Sequence, residues 1–245
     1  MKIIGVIPAR YESTRFPGKP LADICGKPMI WWVYQQCLKV KDFSEVYVAT
    51  DSEKIESVCK NFGMNCILTS KHHLTGTDRV AEVAQKISSD LYVNIQGDEP
   101  LIEPETIRAA IEPFYLDENI QIVNLMTRIT NPVDLVNFTV PKVIASNGRG
   151  IYLTRATCPY PKGNLHFDYY KQVCVYGFKL EPLKFFCEYG KKYGKSKLES
   201  IEDIEILRLI ENGYPVKYVE VNSNTVAVDT PKDLQRVREL MEAKL

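Results

Sequence analysis

Histidine is scarce in this chain: three in 245 residues, with His72 and His73 adjacent in a polar stretch and His166 far away. All three read as surface or loop residues. Seven cysteines are scattered as an odd set with no CxxC pair. The closely spaced ligands of a zinc site are therefore missing, and the thiols read as buried and reduced in a cytosolic protein. Net charge is missing too, with 31 Lys+Arg against 31 Asp+Glu. A long nucleic-acid footprint needs a basic surplus, so that class is excluded, whereas one small anion site is not. No apolar run approaches the roughly 18 residues of a membrane span. The opening "IIGVIPAR" is too short for a secretory signal and breaks at Pro8. The phosphate loop GxxxxGK[ST] and the dinucleotide pattern GxGxxG are both absent, which disfavours a P-loop kinase and a hydride-transfer enzyme.

What is present is strand–helix alternation. Residues 2–7, 45–50, 65–68 and 90–96 are short apolar runs of the kind buried on both faces of a sheet. Between them, 28–40, 52–63 and 76–87 carry helical spacing, with Ser52 as N-cap and Gly63 as stop. This order predicts right-handed βαβ units and a parallel sheet. The second half is less regular. It offers strands at 120–129, 140–146, 170–180 and 216–221, one amphipathic helix at 199–213, and a closing helix at 230–245 with Thr230 as N-cap and Pro231 behind it. The expectation is a single α/β domain over 1–245, with about 130–200 as an inserted lobe.

Ligands of open parallel sheets bind beyond the carboxyl ends of the strands, and three polar stretches fall there. The first, "PARYESTRFPGKPL" (8–21), gathers Arg10, Arg15 and Lys19 on an irregular loop ahead of a helix, which suits a polyphosphate. The second, "NIQGDEP" (94–100), turns at Gly97 and projects Asp98 and Glu99. A carboxylate beside phosphates commonly holds Mg²⁺. The third, "VAVDTP" (226–231), sets Asp229 at a strand end, where it is either a helix-boundary residue or a second Mg²⁺ ligand paired with Asp98.

"IPARYESTRFPGKPL", "TGTDR", "VNIQGDEPLI" and "VDTPKDL" together resemble the 3-deoxy-manno-octulosonate (Kdo) cytidylyltransferase family. The resemblance implies a three-layer, doubly wound, mostly parallel sheet of the nucleotide-diphospho-sugar transferase type with a smaller inserted lobe. It also implies CMP transfer from CTP to an acidic sugar with Mg²⁺, in a cytoplasmic homodimer. By the same resemblance Arg10, Arg15 and Lys19 hold the triphosphate, and Asp98 and Asp229 hold the metal. Pro8, Ala9, Ser13, Thr75, Thr77 and Arg79 match positions around the nucleotide, and Gln96 a position at the sugar. Subunit contact through the apolar residues of "VCVYGF" and "PLKFF" is the further expectation.

The match departs from the family pattern on the acceptor side. Where the family has a basic residue, His, then Gly-x-Tyr-Gly-Tyr, this chain has Lys171, Gln172, Val173, Cys174, Val175, Tyr176, Gly177 and Phe178. Where it has Leu-Glu-Gln-Leu-Arg, this chain has Ile204, Glu205, Ile206, Leu207 and Arg208. With Gln172, Tyr176, Glu205 and Ile206 expected at the sugar, two changed side chains alter the hydrogen-bonding inventory there. The acceptor is then Kdo or another acidic molecule, such as an amino-substituted ulosonic acid or a phosphonate.

Overall fold

Runs of β-branched and apolar residues become the strands of one large sheet, and the first, β1 (Ile3–Ala9), is buried along its whole length. The computed structural model describes residues 1–13, 16–163, 167–223 and 225–243. After β1 come a small antiparallel pair, β2 (Asp23–Ile24) and β3 (Lys27–Pro28), then α1 (Met29–Leu38), β4 (Glu45–Thr50), α2 (Glu53–Asn61), β5 (Cys66–Leu68), α3 (Gly76–Lys86) and β6 (Leu91–Ile95). The chain continues through α4 (Pro104–Ala109), α5 (Glu112–Leu116), β7 (Ile122–Arg128), α6 (Pro132–Val136), β8 (Lys142–Ser146), β9 (Arg149–Thr154) and β10 (Tyr170–Phe178). It ends with α7 (Leu180–Tyr193), α8 (Lys197–Glu202), α9 (Leu207–Glu211), β11 (Lys217–Glu220) and α10 (Pro231–Glu242).

The sheet order is β5-β4-β1-β6-β10-β7-β11-β9-β8. The first four strands are parallel. Beyond them the sheet is mixed, because β10 enters antiparallel between β6 and β7. Strand alternation splits the core into two layers. Ile3 and Ile7 of β1 pack with α1, α2 and α4, whereas Ile4 and Val6 pack with α3 and α7. A third cluster docks α10, through Leu234, Val237 and Met241, onto Ile24, Met29 and Val228. No helix among the described residues is long and apolar enough to cross a membrane.

Three expectations change. The helix read over 199–213 is two short helices, because the chain turns at Asp203 (φ 51°) between α8 and α9. The lobe read over 130–200 contains β10 and α7, which belong to the main sheet and its covering layer; the hairpin β8–β9 and its flanks are what lies toward the sheet's far edge. For the same reason Val173, Val175, Phe178, Leu183 and Phe186 of "VCVYGF" and "PLKFF" are core side chains, so they are not available to a second subunit. Ser52 does sit at the N-cap of α2, but its side chain makes no capping bond.

The topology creates a crevice. From β1 the chain passes through α1 to β4 on one side, and α3 later carries it back to β6 on the other. The carboxyl ends of β1 and β6 therefore open onto a topological switch point.

Candidate active site

A cavity of about 620 Å³ lies at this switch point. The end of β1 lines it with Pro8 and Ala9, and the loop that follows with Arg10, Ser13 and Lys19. Gly18, in the left-handed region (φ 71°), folds that loop back, and its N–H donates to Tyr11 O at 2.8 Å. Thr75 and Arg79 come from the start of α3, and Gln96 and Asp98 from the end of β6. Gln172 and Tyr176 come from β10, Glu205 from the α8–α9 connection, and Asp229 from just before α10. Residues more than two hundred positions apart thus share one chamber.

The convergence is tightest at Lys19. Its Nζ donates to Asp98 Oδ2 at 2.6 Å and to Asp229 Oδ1 at 3.4 Å. The two acidic loops are also joined through backbone, Val228 N donating to Asp98 O at 2.9 Å. The capping box of Thr230 with Asp233 starts α10 immediately after Asp229 and fixes its direction. One ammonium bridging two carboxylates marks a spot of concentrated negative charge where a cation is favoured. Among the described residues, no group of three or more His, Cys, Asp and Glu side chains forms a metal cage. The pair supplies two hard oxygen donors, which suits an ion that takes its remaining ligands from water and phosphate.

Gly97 is needed for close approach rather than for an unusual backbone angle. A Cβ there would lie 3.0 Å from Ile30 Cδ1 and 3.2 Å from Pro8 O. Its absence lets the Asp98 turn press against the end of β1. Glu99, next along, also lines the cavity but is more deeply buried than Asp98. Burial and the neighbouring Asp98 push its carboxyl up to about 7, opposed by Thr225 and Lys171.

On the other side of the cavity, Glu205 is held by the first turn of α3. Thr77 N donates to Glu205 Oε2 at 3.1 Å, and Gln96 Nε2 lies 3.5 Å from Oε1. Burial and the nearby Asp78 raise the Glu205 carboxyl, while the donors from Thr75 and Thr77 oppose that rise. Gln172 Nε2 donates to Asn124 Oδ1 at 2.9 Å and to Tyr176 Oη at 3.2 Å. The register of β10 against β7 slips between Val173 and Tyr176, and Asn124 Nδ2 bridges the slip by donating to Val173 O and Val175 O, both at 3.0 Å.

The sequence matches the cytidylyltransferase family over residues 4–223. The 3-deoxy-manno-octulosonate cytidylyltransferase of Lawsonia intracellularis is 42% identical over 98% of this chain and 94% of its own. That of Geotalea uraniireducens is 43% identical over 99% of this chain and 100% of its own. The chain belongs to the 3-deoxy-manno-octulosonate cytidylyltransferase family. A solved CMP:2-keto-3-deoxy-manno-octonic acid synthetase, complexed with CTP, superposes with a TM-score of 0.92 at 36% identity and full coverage of both chains. An inositol-1-phosphate CTP transferase from T. maritima, at 15% identity and a TM-score of 0.69, shares the fold.

Within this family fold, the structure differs from the sequence reading at several positions. Thr77 does not line the cavity; it is buried behind the wall, where its hydroxyl accepts from Asn94 Nδ2 at 3.2 Å. Ile206 faces the core between sheet and helices, so a change there does not alter the lining. Arg79 borders the cavity, but its guanidinium is engaged by Asp51, by Thr69 Oγ1 at 2.9 Å and by Ser70 O at 3.0 Å. Arg15 and His166 lie outside the described residues. His73 is a loop residue before α3, half-buried at the border of the cavity with Nε2 2.6 Å from Glu82 Oε2.

Arg155 and Lys195 also line the chamber, yet no local motif marks either. The Arg155 guanidinium is bound by the backbone oxygens of Phe138, Thr139, Glu202 and Asp203. Lys142 supports it from below, fully buried, with Nζ donating to Asn137 O, Val140 O and Arg155 O. A buried lysine satisfied by three carbonyls is visible only in three dimensions.

Proposed function

We propose that this enzyme transfers CMP from CTP to 3-deoxy-manno-octulosonate and releases pyrophosphate. The observation that carries the reading is the meeting of Lys19 with Asp98 and Asp229 at the switch point. The names of the close relatives agree with it. Arg10 and Lys19 take the triphosphate, and their charge stabilises the negative charge that grows on the departing pyrophosphate. Pro8, Ala9, Ser13 and Thr75 border the nucleotide end. Gln96, Gln172, Tyr176 and Glu205 orient the sugar acid so that its anomeric hydroxyl faces the α-phosphorus.

Asp98 and Asp229 are the residues that would hold Mg²⁺, because two carboxylates plus substrate oxygens make a suitable donor set. When bound, the ion lowers the pKa of the attacking hydroxyl and offsets phosphate charge. Binding of both substrates in one chamber aligns attacking and leaving groups and excludes water. The reading extends to a homodimer working in the cytoplasm on the way to lipopolysaccharide. Seven unbridged cysteines support a reducing compartment.

The test is pyrophosphate release from CTP with Kdo and with a panel of other acidic acceptors. Release with Kdo at the highest kcat/KM of the panel is expected. Release with none of them overturns the transferase assignment, and release only with a different acid overturns the acceptor. Sedimentation of the purified chain checks the dimer.

A further inference from the structure

Behind the Glu205 wall lies a buried ionic cluster that touches no part of the cavity directly except through Asp78's own helix. Arg208 of α9 is completely buried. Its Nε and Nη2 donate to the two oxygens of Glu199 at 2.7 and 2.6 Å, a bidentate pair. Its Nη1 donates to Asp78 Oδ1 at 3.1 Å and to Phe186 O at 3.0 Å, and the guanidinium lies 3.7 Å from the Phe186 ring centroid. Four helices, α3, α7, α8 and α9, therefore meet on one side chain. Gly190 of α7 makes room for it: a Cβ there would fall 2.6 Å from Arg208 Nη1.

The cluster joins the wall at two points. Asp78 and Thr77 are neighbours in the first turn of α3. Asp78 grips Arg208, and Thr77 N donates to Glu205, three residues earlier in the chain. The other Asp78 oxygen is tied to Thr75 N and Oγ1 in the capping box that starts α3. On the opposite flank, Glu199 closes the capping box of α8 by accepting from Ser196 N at 2.9 Å. The segment 203–206 thus spans between a helix fixed by Glu199 and a helix fixed by Asp78, with Arg208 as the common bolt. A buried ion cluster contributes little net stability compared with apolar packing, but it defines one geometry sharply. Here that geometry is the place of the Glu205 carboxylate.

We infer that Arg208 is a positioning residue for acceptor binding, acting through Glu205. The inference rests on the reading of Glu205 as a sugar contact. Lysine keeps the charge at 208 but lacks the fork that spans Glu199 and Asp78. Gly190→Ala keeps every charge and displaces the guanidinium by contact alone.

The test is steady-state kinetics of the full-length wild type, R208K, G190A and E205Q with CTP and Kdo, run well below each variant's melting temperature. R208K and G190A are each expected to raise the KM for Kdo about tenfold while the KM for CTP stays within about twofold. A Kdo KM within about twofold of wild type in whichever of the two variants folds overturns the positioning role, as does an equal rise in both KM values. E205Q separates the two layers of the argument. If E205Q leaves the Kdo KM unchanged, the sugar-contact reading of Glu205 itself fails. If E205Q raises it and the other two variants do not, only the role of Arg208 is lost.

Discussion

Lys19 keeps two carboxylates from facing one another unscreened, with its ammonium 2.6 Å from Asp98 and 3.4 Å from Asp229. Removing Lys19 leaves two carboxylates facing one another, removing Asp98 takes away the ammonium's nearer partner, and each change removes a group proposed to meet the reacting phosphates. Lys19→Ala and Asp98→Asn are each expected to lower turnover by roughly 10²–10³-fold with far-UV circular dichroism unchanged. Wild-type pyrophosphate release from Asp98→Asn at saturating Mg²⁺ would refute the metal role. Gly97 acts by its missing side chain. Gly97→Ala pushes the Asp98 turn away from Pro8 and Ile30, and overpacking of this kind costs about 1–3 kcal/mol. Denaturant titration measures that loss, and a parallel drop in kcat is expected because Asp98 moves with the turn.

At the scale of elements, α3 organises one side of the chamber. Its capping box presents Thr77 N and Asp78, and further along Glu82 reaches back to the loop before the helix. Burial tends to raise the Glu82 carboxyl, yet Lys86, the Ser70 N–H and His73 outweigh it and hold the group at about 2. A depressed folded-state value stabilises the fold above the unfolded value near 4.3 and loses that contribution as pH falls toward 2. Glu82→Gln is therefore expected to cost about 1–2 kcal/mol at pH 7, and the gap to wild type should close between about pH 4.5 and 2. Urea unfolding at several pH values checks this, and a pH-independent gap would remove the ionic explanation. The elements hardest to read were those with mixed signals. Pro182 and Gly190 interrupt the pattern of α7, although Pro182 falls in its first turn, where proline is tolerated. The run 199–213 has helical periodicity throughout, but Asp203 breaks it because Glu205 and Arg208 each bind the start of α3.

For the molecule as a whole, the site depends on joining the two ends of the chain. Asp229 reaches Lys19 because α10 packs on Ile24 and Met29 near the opening loop, and Arg238 donates to Asp23 O at 2.9 and 2.6 Å. Leu234→Ala in that cluster is expected to cost about 2–5 kcal/mol. It should also raise the Mg²⁺ concentration needed for half-maximal turnover, since Asp229 loses its support. A stability loss with unchanged Mg²⁺ dependence would argue that the Asp229 loop holds its place without α10.

By itself the sequence determined the alternating strands and helices of the first hundred residues, the charged loops after β1 and β6, and the family. Those are local properties: apolar spacing, caps, turns, and motifs whose residues lie side by side. Asp229, read at a strand end, instead ends an irregular stretch over 225–229 that leads into α10. Only the tertiary structure decided that β10 threads between β6 and β7, that Thr77 and Ile206 face inward, that Arg155 lines the chamber, and that Lys142 and Arg208 are fully buried. Such facts depend on pairings across tens to hundreds of residues. They are set by which surfaces bury one another and which buried charges find partners, and no short stretch of the chain contains that information.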